Sequence, residues 1–318
     1  MKIVVLDGRT LNDDPQAWAG LAAYGEVAYH DVTAPEEVRE RAAGAEVLII
    51  NKCPIRADLM AELPELKFIA VTATGFDCVD VDAATERGIV VSNVRGYSTD
   101  SVAQVTFALL LELTLHVGLH SDAVFAGEWA GQPDFSIRKT PLIELAGKTM
   151  GIVGLGQIGR RVAVIARAFG MDVIAHRPSG TPAAPSDPIP ALTLQQLFAQ
   201  ADVVTLHCPL TPRTKGLVDR ELLKTAKPSM FLINTGRGPL IVEKDLAEAL
   251  NAGEIAGAAV DVVSREPIAA DNPLLKARNL VITPHIAWAT AEARERLMAA
   301  TVENVAAYAS GSPINVVG

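Results

Sequence analysis

Short runs that are apolar at every position punctuate the chain, and the stretches between them carry apolar residues at helical spacing. Between Lys2 and Ser92 the runs are Ile3 to Leu6, Val47 to Ile50, Phe68 to Val71 and Ile89 to Val91, with helical character in segments such as Pro35 to Arg41. A strand with one wet face alternates apolar and polar residues, whereas a strand apolar throughout is covered on both faces, as in a parallel sheet with helices above and below it. The rhythm therefore predicts a first doubly wound layer.

After Tyr97 the pattern shifts to one long helix, Ser98 to about His120, followed by an irregular polar segment containing Trp129, Pro133 and Pro141. This reads as an inter-domain helix and an arm. A second strand series then begins: Met150 to Val153, Val173 to Ala175, Val203 to Leu206, Phe231 to Asn234, Gly257 to Asp261 and Val281 to Thr283, with helices between most of them. Six such strands suit a dinucleotide-binding sheet. The Pro-rich stretch Pro178 to Pro190 reads as a loop, because the strand and helix rhythm resumes after it, and the last helix, about Glu292 to Ala309, is expected to return to the first domain.

Composition narrows the picture. At 318 residues, 49% hydrophobic and 20% charged, the chain has material for two cores and no disordered tract. A net charge of -9 argues against nucleic acid or an anionic membrane as partner. The most apolar long segment, Val102 to Leu119, includes Gln104, Glu112 and His116, so a buried helix is expected there and not a membrane span. Cys53, Cys78 and Cys208 are odd in number and lack metal-ligand spacing, which predicts reduced thiols and no metal site. Met1 to Asp7 already reads as a strand with no export signal, so a cytoplasmic protein is expected.

Gly154, Gly156 and Gly159 form Gly-x-Gly-x-x-Gly, with Gln157 and Ile158 between, directly after one strand and at the start of the helical run Gln157 to Phe169. In that setting the first glycine permits a tight turn, the second lets backbone approach a pyrophosphate, and the third allows close helix packing. This is a Rossmann fingerprint. About 20 residues further on, where an acidic residue would meet the ribose 2'-hydroxyl of NAD, stand His176 and Arg177. A guanidinium pairs with a 2'-phosphate, and Ser179 and Thr181 could add neutral hydrogen bonds, so NADP is expected over NAD. The alternative is a solvated Arg177 and an NAD enzyme.

Arg237, Glu266 and His285 lie at or just beyond strand ends in the second half, at the sheet edge where ligands bind. Arg237 stands between glycines, its fork matching a carboxylate, while Glu266 precedes Pro267 and His285 follows Pro284. Singly, they read equally well as a structural ion pair, a surface turn and a core histidine. Together they make a carboxylate-supported imidazole that could protonate a forming alkoxide while a guanidinium holds the acid group.

With GLGQIG, NTGRG, the Glu266-Pro267 turn and PHIAW in this order, the sequence resembles the D-isomer-specific 2-hydroxyacid dehydrogenase family. The resemblance extends to VTATGFDCVD at Val71 to Asp80, like the family's substrate loop, and to the helix from Tyr97, and so covers nearly the whole chain. It implies an α/β architecture of two doubly wound parallel-sheet domains with a cleft between them: a flavodoxin-like substrate-binding domain (residues 1–98 and 287–318) and a Rossmann NAD(P)-binding domain (residues 99–286). It implies that Arg237 binds substrate, that Glu266 orients the histidine and that His285 is the acid/base. It further implies that backbone N–H groups near Thr74 and Gly75 hold the substrate carboxylate, that Asn51 and Lys52 line the cleft, that Thr235 joins the cofactor site, and that Asp261 meets the nicotinamide amide. Within the family the likeness is greatest to glycerate dehydrogenases, also called hydroxypyruvate reductases, with hydroxypyruvate or glyoxylate as the small 2-oxo acid. The regulatory domain of many phosphoglycerate dehydrogenases is not expected. The family implies a homodimer built on the segment Ser98 to Thr140. The rival expectations are another 2-hydroxy acid or phosphite as substrate, or a cofactor-sensing, corepressor-like binding protein.

Overall fold

A computed structural model describes residues 1–12, 14–180 and 189–318. Thr181 and most of the Pro178 to Pro190 stretch lie outside the described residues. The chain divides into two compact units, Met1–Ser98 with Ala289–Gly318, and Thr99–Trp288. The second crossing falls after Trp288 and not after residue 286. The reason is local: the Ile286 and Ala287 amides donate to the Asp261 carboxylate, at 2.9 Å each, which ties this stretch to the second unit.

Among the described residues the first unit holds five parallel strands, β1 (Lys2–Val5), β2 (Glu26–Tyr29), β3 (Val47–Ile50), β4 (Phe68–Val71) and β5 (Val90–Ser92), in the order β2-β1-β3-β4-β5. This is the flavodoxin-like order, whose direction reverses between β1 and β3. β3 and β4 are buried at every residue, as their unbroken apolar runs require. β2 is an addition to the sequence reading: it lies at the sheet edge, with no residue fully buried, and so carries no apolar run. The helix Ala291–Ala309 does return to this unit, where Tyr308 stacks on Phe68 with ring centroids 4.5 Å apart.

The second unit holds β6 (Thr149–Val153), β7 (Asp172–His176), β8 (Val203–Leu206), β9 (Phe231–Asn234), β10 (Gly257–Val260) and β11 (Leu280–Ile282), all parallel, in the order β11-β10-β9-β8-β6-β7. A single parallel bridge between Ala175 and Ala191 extends the sheet beyond β7. With that bridge counted as a third strand the order becomes the Rossmann one, reversing between β6 and β8. Alternate residues of β8 enter opposite cores: Val204 and Leu206 pack with Leu197, Leu232 and Leu246, whereas Val203 packs with Phe107, Ile152 and Ile233. Apolar layers on both faces explain why these strands lack polar alternation.

The single helix expected from Ser98 to about His120 is two helices, Thr99–Leu115 and Val117–Phe125, meeting at 57°. His116 sits between them with φ of 46°, and a left-handed residue ends the helical path. Among the described residues, no single helix is long and apolar enough to cross a membrane.

Candidate active site

The three motif glycines occupy three different environments. Gly154 turns the chain at φ of 96°, and a methyl there would lie 2.6 Å from the Cys208 amide nitrogen, so the β6 turn rests directly on the chain leaving β8. Gly159 is equally tight, with a methyl falling 2.2 Å from the Gly154 carbonyl oxygen. At Gly156 a methyl would meet nothing within 4 Å. The open position thus stands at the N-terminus of the helix Gln157–Ala168, where unpaired backbone N–H groups favour an anion. Gln157 is exposed and Ile158 is half-buried against the core. This cradle fits a dinucleotide pyrophosphate at the switch point of the sheet.

β7 ends at His176, whose Nδ1 lies 2.9 Å from the Leu192 carbonyl oxygen. The half-buried Arg177 opens a turn closed by Gly180 N–H on its carbonyl oxygen at 2.9 Å, with Ser179 exposed. Thr235 is buried, its hydroxyl 3.2 Å from that of Thr106.

Glu266 and His285 are brought together. Nδ1 of His285 lies 2.7 Å from Oε2 of Glu266, and the two side chains remain 27% and 32% exposed, so the imidazole is held on one side and open on the other. The Val263 amide donates to Oε1 of Glu266 at 3.3 Å. His285 adopts φ of 55°, and its amide donates to the Asp261 carbonyl at 2.8 Å. Arg237 follows β9 in extended conformation and donates from Nη1 to the Gly236 carbonyl at 2.9 Å.

Several further groups shape these turns. Asn234, fully buried, donates from Nδ2 to the Arg237 carbonyl at 2.9 Å and accepts from the Gly236 amide at 3.0 Å, a clasp around the Arg237 turn. Asp261, expected to meet the nicotinamide amide, is 2% exposed, and its carboxylate accepts from Thr283 Oγ1 at 2.6 Å as well as from the Ile286 and Ala287 amides. In the structure it anchors the turn that carries His285. His207, which ends the same stretch as β8, accepts or donates at Nε2 to Thr205 Oγ1, 2.8 Å away. Its Nδ1 is enclosed without a partner among the described residues, and burial pushes the imidazole down to about 3.

In the first unit Lys52 and Thr74 are exposed and Gly75 is half-buried, while the Thr74 hydroxyl donates to the Val94 carbonyl at 2.8 Å. Asn51, expected with Lys52 to line the cleft, is a buried residue of its turn. It is 6% exposed, with Nδ2 donating to the Thr72 carbonyl at 2.6 Å. Asp7, which the sequence reading did not single out, accepts from the Asn51, Lys52 and Cys53 amides at 2.7, 2.6 and 3.1 Å. It therefore spans the β1/β3 switch point and holds the loop on which Lys52 sits.

A Rossmann cradle in the same unit as an arginine turn and a carboxylate-held imidazole defines a pyridine-nucleotide-dependent oxidoreductase of small oxo acids. The profile described as D-isomer specific 2-hydroxyacid dehydrogenase, NAD binding domain, matches residues 107–287. Hydroxypyruvate reductase of Blautia hydrogenotrophica is 47% identical over 320 residues, covering 100% of this chain and 99% of that protein. Glycerate dehydrogenase of Methylorubrum extorquens is 41% identical over 318 residues, covering 99% and 98%. Among solved structures, an NADPH-dependent glyoxylate/hydroxypyruvate reductase of Sinorhizobium meliloti aligns with a TM-score of 0.85 and 28% identity, over 100% of this chain and 96% of that one. The chain belongs to the D-isomer-specific 2-hydroxyacid dehydrogenase family. It is an oxidoreductase that moves a hydride between NAD(P)H and a small 2-oxo or 2-hydroxy acid.

Proposed function

We propose that this enzyme reduces hydroxypyruvate, with glyoxylate as a second substrate, to D-glycerate and glycolate, using NADPH in preference to NADH. The observation that carries the chemistry is the 2.7 Å contact of Glu266 with His285 on a turn anchored by Asp261, in the unit that presents Arg237. When bound, the reduced nicotinamide supplies the hydride. Gly154, Gly156, Gly159 and the first turn of the helix Gln157–Ala168 hold its pyrophosphate. Arg237 pairs with the substrate carboxylate and offsets charge developing on the C2 oxygen. Glu266 occupies Nδ1, which leaves Nε2 of His285 to give a proton to that oxygen, so the alkoxide never stands free. The short acid is supported by the names of the relatives, a hydroxypyruvate reductase and a glycerate dehydrogenase.

The cofactor reading rests on Arg177 at the end of β7, where a carboxylate would repel a 2'-phosphate. A homodimer is supported by exposed apolar side chains concentrated between residues 117 and 142, notably Val117, Phe125, Phe135 and Leu142 at 61%, 89%, 87% and 50%. Three free thiols suit the cytoplasm as the working compartment.

The test is a steady-state panel of hydroxypyruvate, glyoxylate, pyruvate and longer 2-oxo acids with each cofactor. The expected result is the highest kcat/KM for hydroxypyruvate with NADPH, reversed toward NADH in Arg177→Asp. A higher kcat/KM with NADH in the unsubstituted enzyme would reject the cofactor assignment. Turnover confined to longer acids would reject the substrate. For the dimer, light scattering should show Phe125→Glu at half the unsubstituted mass, and a monomeric parent protein would refute it.

A further inference from the structure

The geometry points to Glu243 as a positioning residue that sets the Glu266–His285 pair relative to Arg237. This rests on the reading of His285 as the proton donor. Arg237 and Glu266 are 29 positions apart in sequence and lie on different turns, so something must hold those turns in register. Two contacts do so. The first is steric: a methyl on Gly238 would stand 2.0 Å from the Val263 carbonyl carbon and 2.5 Å from the Ser264 amide nitrogen, so the residue after Arg237 lies flat against the backbone that leads to Glu266. The second is Glu243. Its Oε1 accepts from the Ser264 amide at 2.6 Å, and its Oε2 accepts from the Ser264 hydroxyl at 2.7 Å and from Asn272 Nδ2 at 3.0 Å. Ser264 precedes Glu266 and Asn272 follows it, so one carboxylate holds both ends of the loop that presents Glu266.

The link from Arg237 to Glu243 is short and stiff. A 3-10 turn covers Gly238–Leu240, the Ile241 amide returns to the Gly238 carbonyl at 3.1 Å, and the Val242 amide bonds the Val218 carbonyl at 2.9 Å. Glu243 then opens the helix Glu243–Ala252, where negative charge is favourable in any case. Charge-assisted bonds to a carboxylate are stronger than neutral ones, so the Ser264 and Asn272 contacts form a clamp and not a loose cap. The first-turn acidic position explains a glutamate here. It does not explain why its oxygens are directed at the Glu266 loop.

Removing the clamp leaves Glu266 covalently intact but free to drift from Nδ1 of His285. Displacements of about 1 Å at a reacting group cost about 100-fold in rate, so Glu243→Ala is expected to lower kcat for hydroxypyruvate by about 10-fold to 100-fold. KM for NADPH should stay within twofold. Ser264→Ala, which removes only the hydroxyl bond, should fall between that variant and the parent. Both are checked by thermal unfolding, and if Glu243→Ala does not fold, Glu243→Gln, which retains one accepting oxygen, takes its place.

A second readout needs no turnover. Long-range proton–nitrogen correlation spectra of the imidazoles report which nitrogen of His285 carries the proton, with the signal assigned by its absence in His285→Gln. The expected pattern is Nδ1–H in the parent and a loss of that bias in Glu243→Ala. An unchanged His285 pattern together with kcat within twofold of the parent would overturn the role of Glu243. A parent enzyme that turns over no 2-oxo acid would instead refute the functional reading, and the spectra would still decide whether Glu243 positions the pair.

Discussion

Substituting alanine at two glycines of one motif should weaken cofactor binding at both but lower the melting temperature at only one, because one position faces open space and the other a carbonyl. At Gly156, φ of -82° and ψ of -159° are available to alanine, and the new methyl meets nothing within 4 Å. Replacing glycine at such a site stabilises by about 0.4–1 kcal/mol through the unfolded chain. Alanine is a poorer helix N-cap than glycine by a similar amount, roughly 0.5–1 kcal/mol. The two nearly cancel, so Gly156→Ala should melt within about 4 °C of the parent. The methyl stands where a pyrophosphate must approach the helix N-terminus, so the Kd for NADPH should rise by at least about tenfold, or about 1.4 kcal/mol. At Gly159 the methyl would fall 2.2 Å from the Gly154 carbonyl oxygen. Helix propensity favours alanine there by about 1 kcal/mol, but backbone cannot rotate out of the way as a side chain can, and overpacking of this kind costs about 1–3 kcal/mol or more. Gly159→Ala should therefore melt lower and bind cofactor weakly because the turn itself is displaced. Differential scanning fluorimetry of the apo proteins and titration with both nucleotides separate the cases. Native cofactor affinity in Gly156→Ala, or a parent-like melt in Gly159→Ala, would refute the assignment of the cradle.

His285→Ala should lose about 100-fold to 10,000-fold in kcat while keeping its Kd for NADPH; retention of kcat would remove His285 from the proton step. Arg237→Lys should lose about 10-fold to 150-fold in kcat/KM, the equivalent of 1.5–3 kcal/mol for bonds to a charged group, mostly through KM for the oxo acid. The imidazole of His207 is held down to about 3 by burial, so the unfolded chain binds a proton there below its ordinary value near 6.5 and the folded chain does not. Its contribution to stability is complete above pH 6.5 and falls as pH drops through the window from 6.5 to 3, with a limiting slope of about 1.4 kcal/mol per unit; denaturant melts of the parent and His207→Asn at pH 7.5 and 5 should differ in that slope. Burial raises Cys53 to about 12 and Cys78 and Cys208 to about 11, so the native protein at pH 8 should take up less than one equivalent of iodoacetamide in the time the unfolded chain takes up three.

What could be read ahead of the structure was whatever depends on residues close in sequence. β3, β4, β8 and β9 are buried at every residue, and for β3 and β4 the apolar run marks the bounds to the residue. The glycine motif was legible because strand, turn and helix follow one another directly. β2 was not, because an edge strand with half-buried residues needs no apolar run. Nor was the break at His116, since Val117, Leu119 and Val124 continue the apolar character of the preceding helix across it, as exposed side chains at 61%, 43% and 44%. Asn51 and Lys52 are adjacent in one turn, yet Lys52 is exposed while the Asn51 amide turns inward to Thr72, a difference set by contacts 21 residues away that the local sequence does not carry.

Three carboxylates share one physical task, which sequence reading did not assign to any of them: Asp7 and Glu243 were not singled out, and Asp261 was expected only to meet the nicotinamide amide. Asp7 takes three amides from residues 51–53, Asp261 takes two from residues 286 and 287, and Glu243 takes the Ser264 amide. Each is a carboxylate at a strand end or helix start that satisfies backbone donors of a distant turn, and each turn carries a residue of the candidate site. A short turn at the edge of a parallel sheet cannot satisfy its own amides, because it leaves the ladder before pairing again. An ionised carboxylate, which accepts on both oxygens, does this with one side chain and confines the turn at the same time. Sequence separation hides such pairs, since nothing near Asp7 points to position 51. In the Thr99–Trp288 unit the His285 imidazole is held through its ring by Glu266 and through its backbone turn by Asp261, so its position is determined twice.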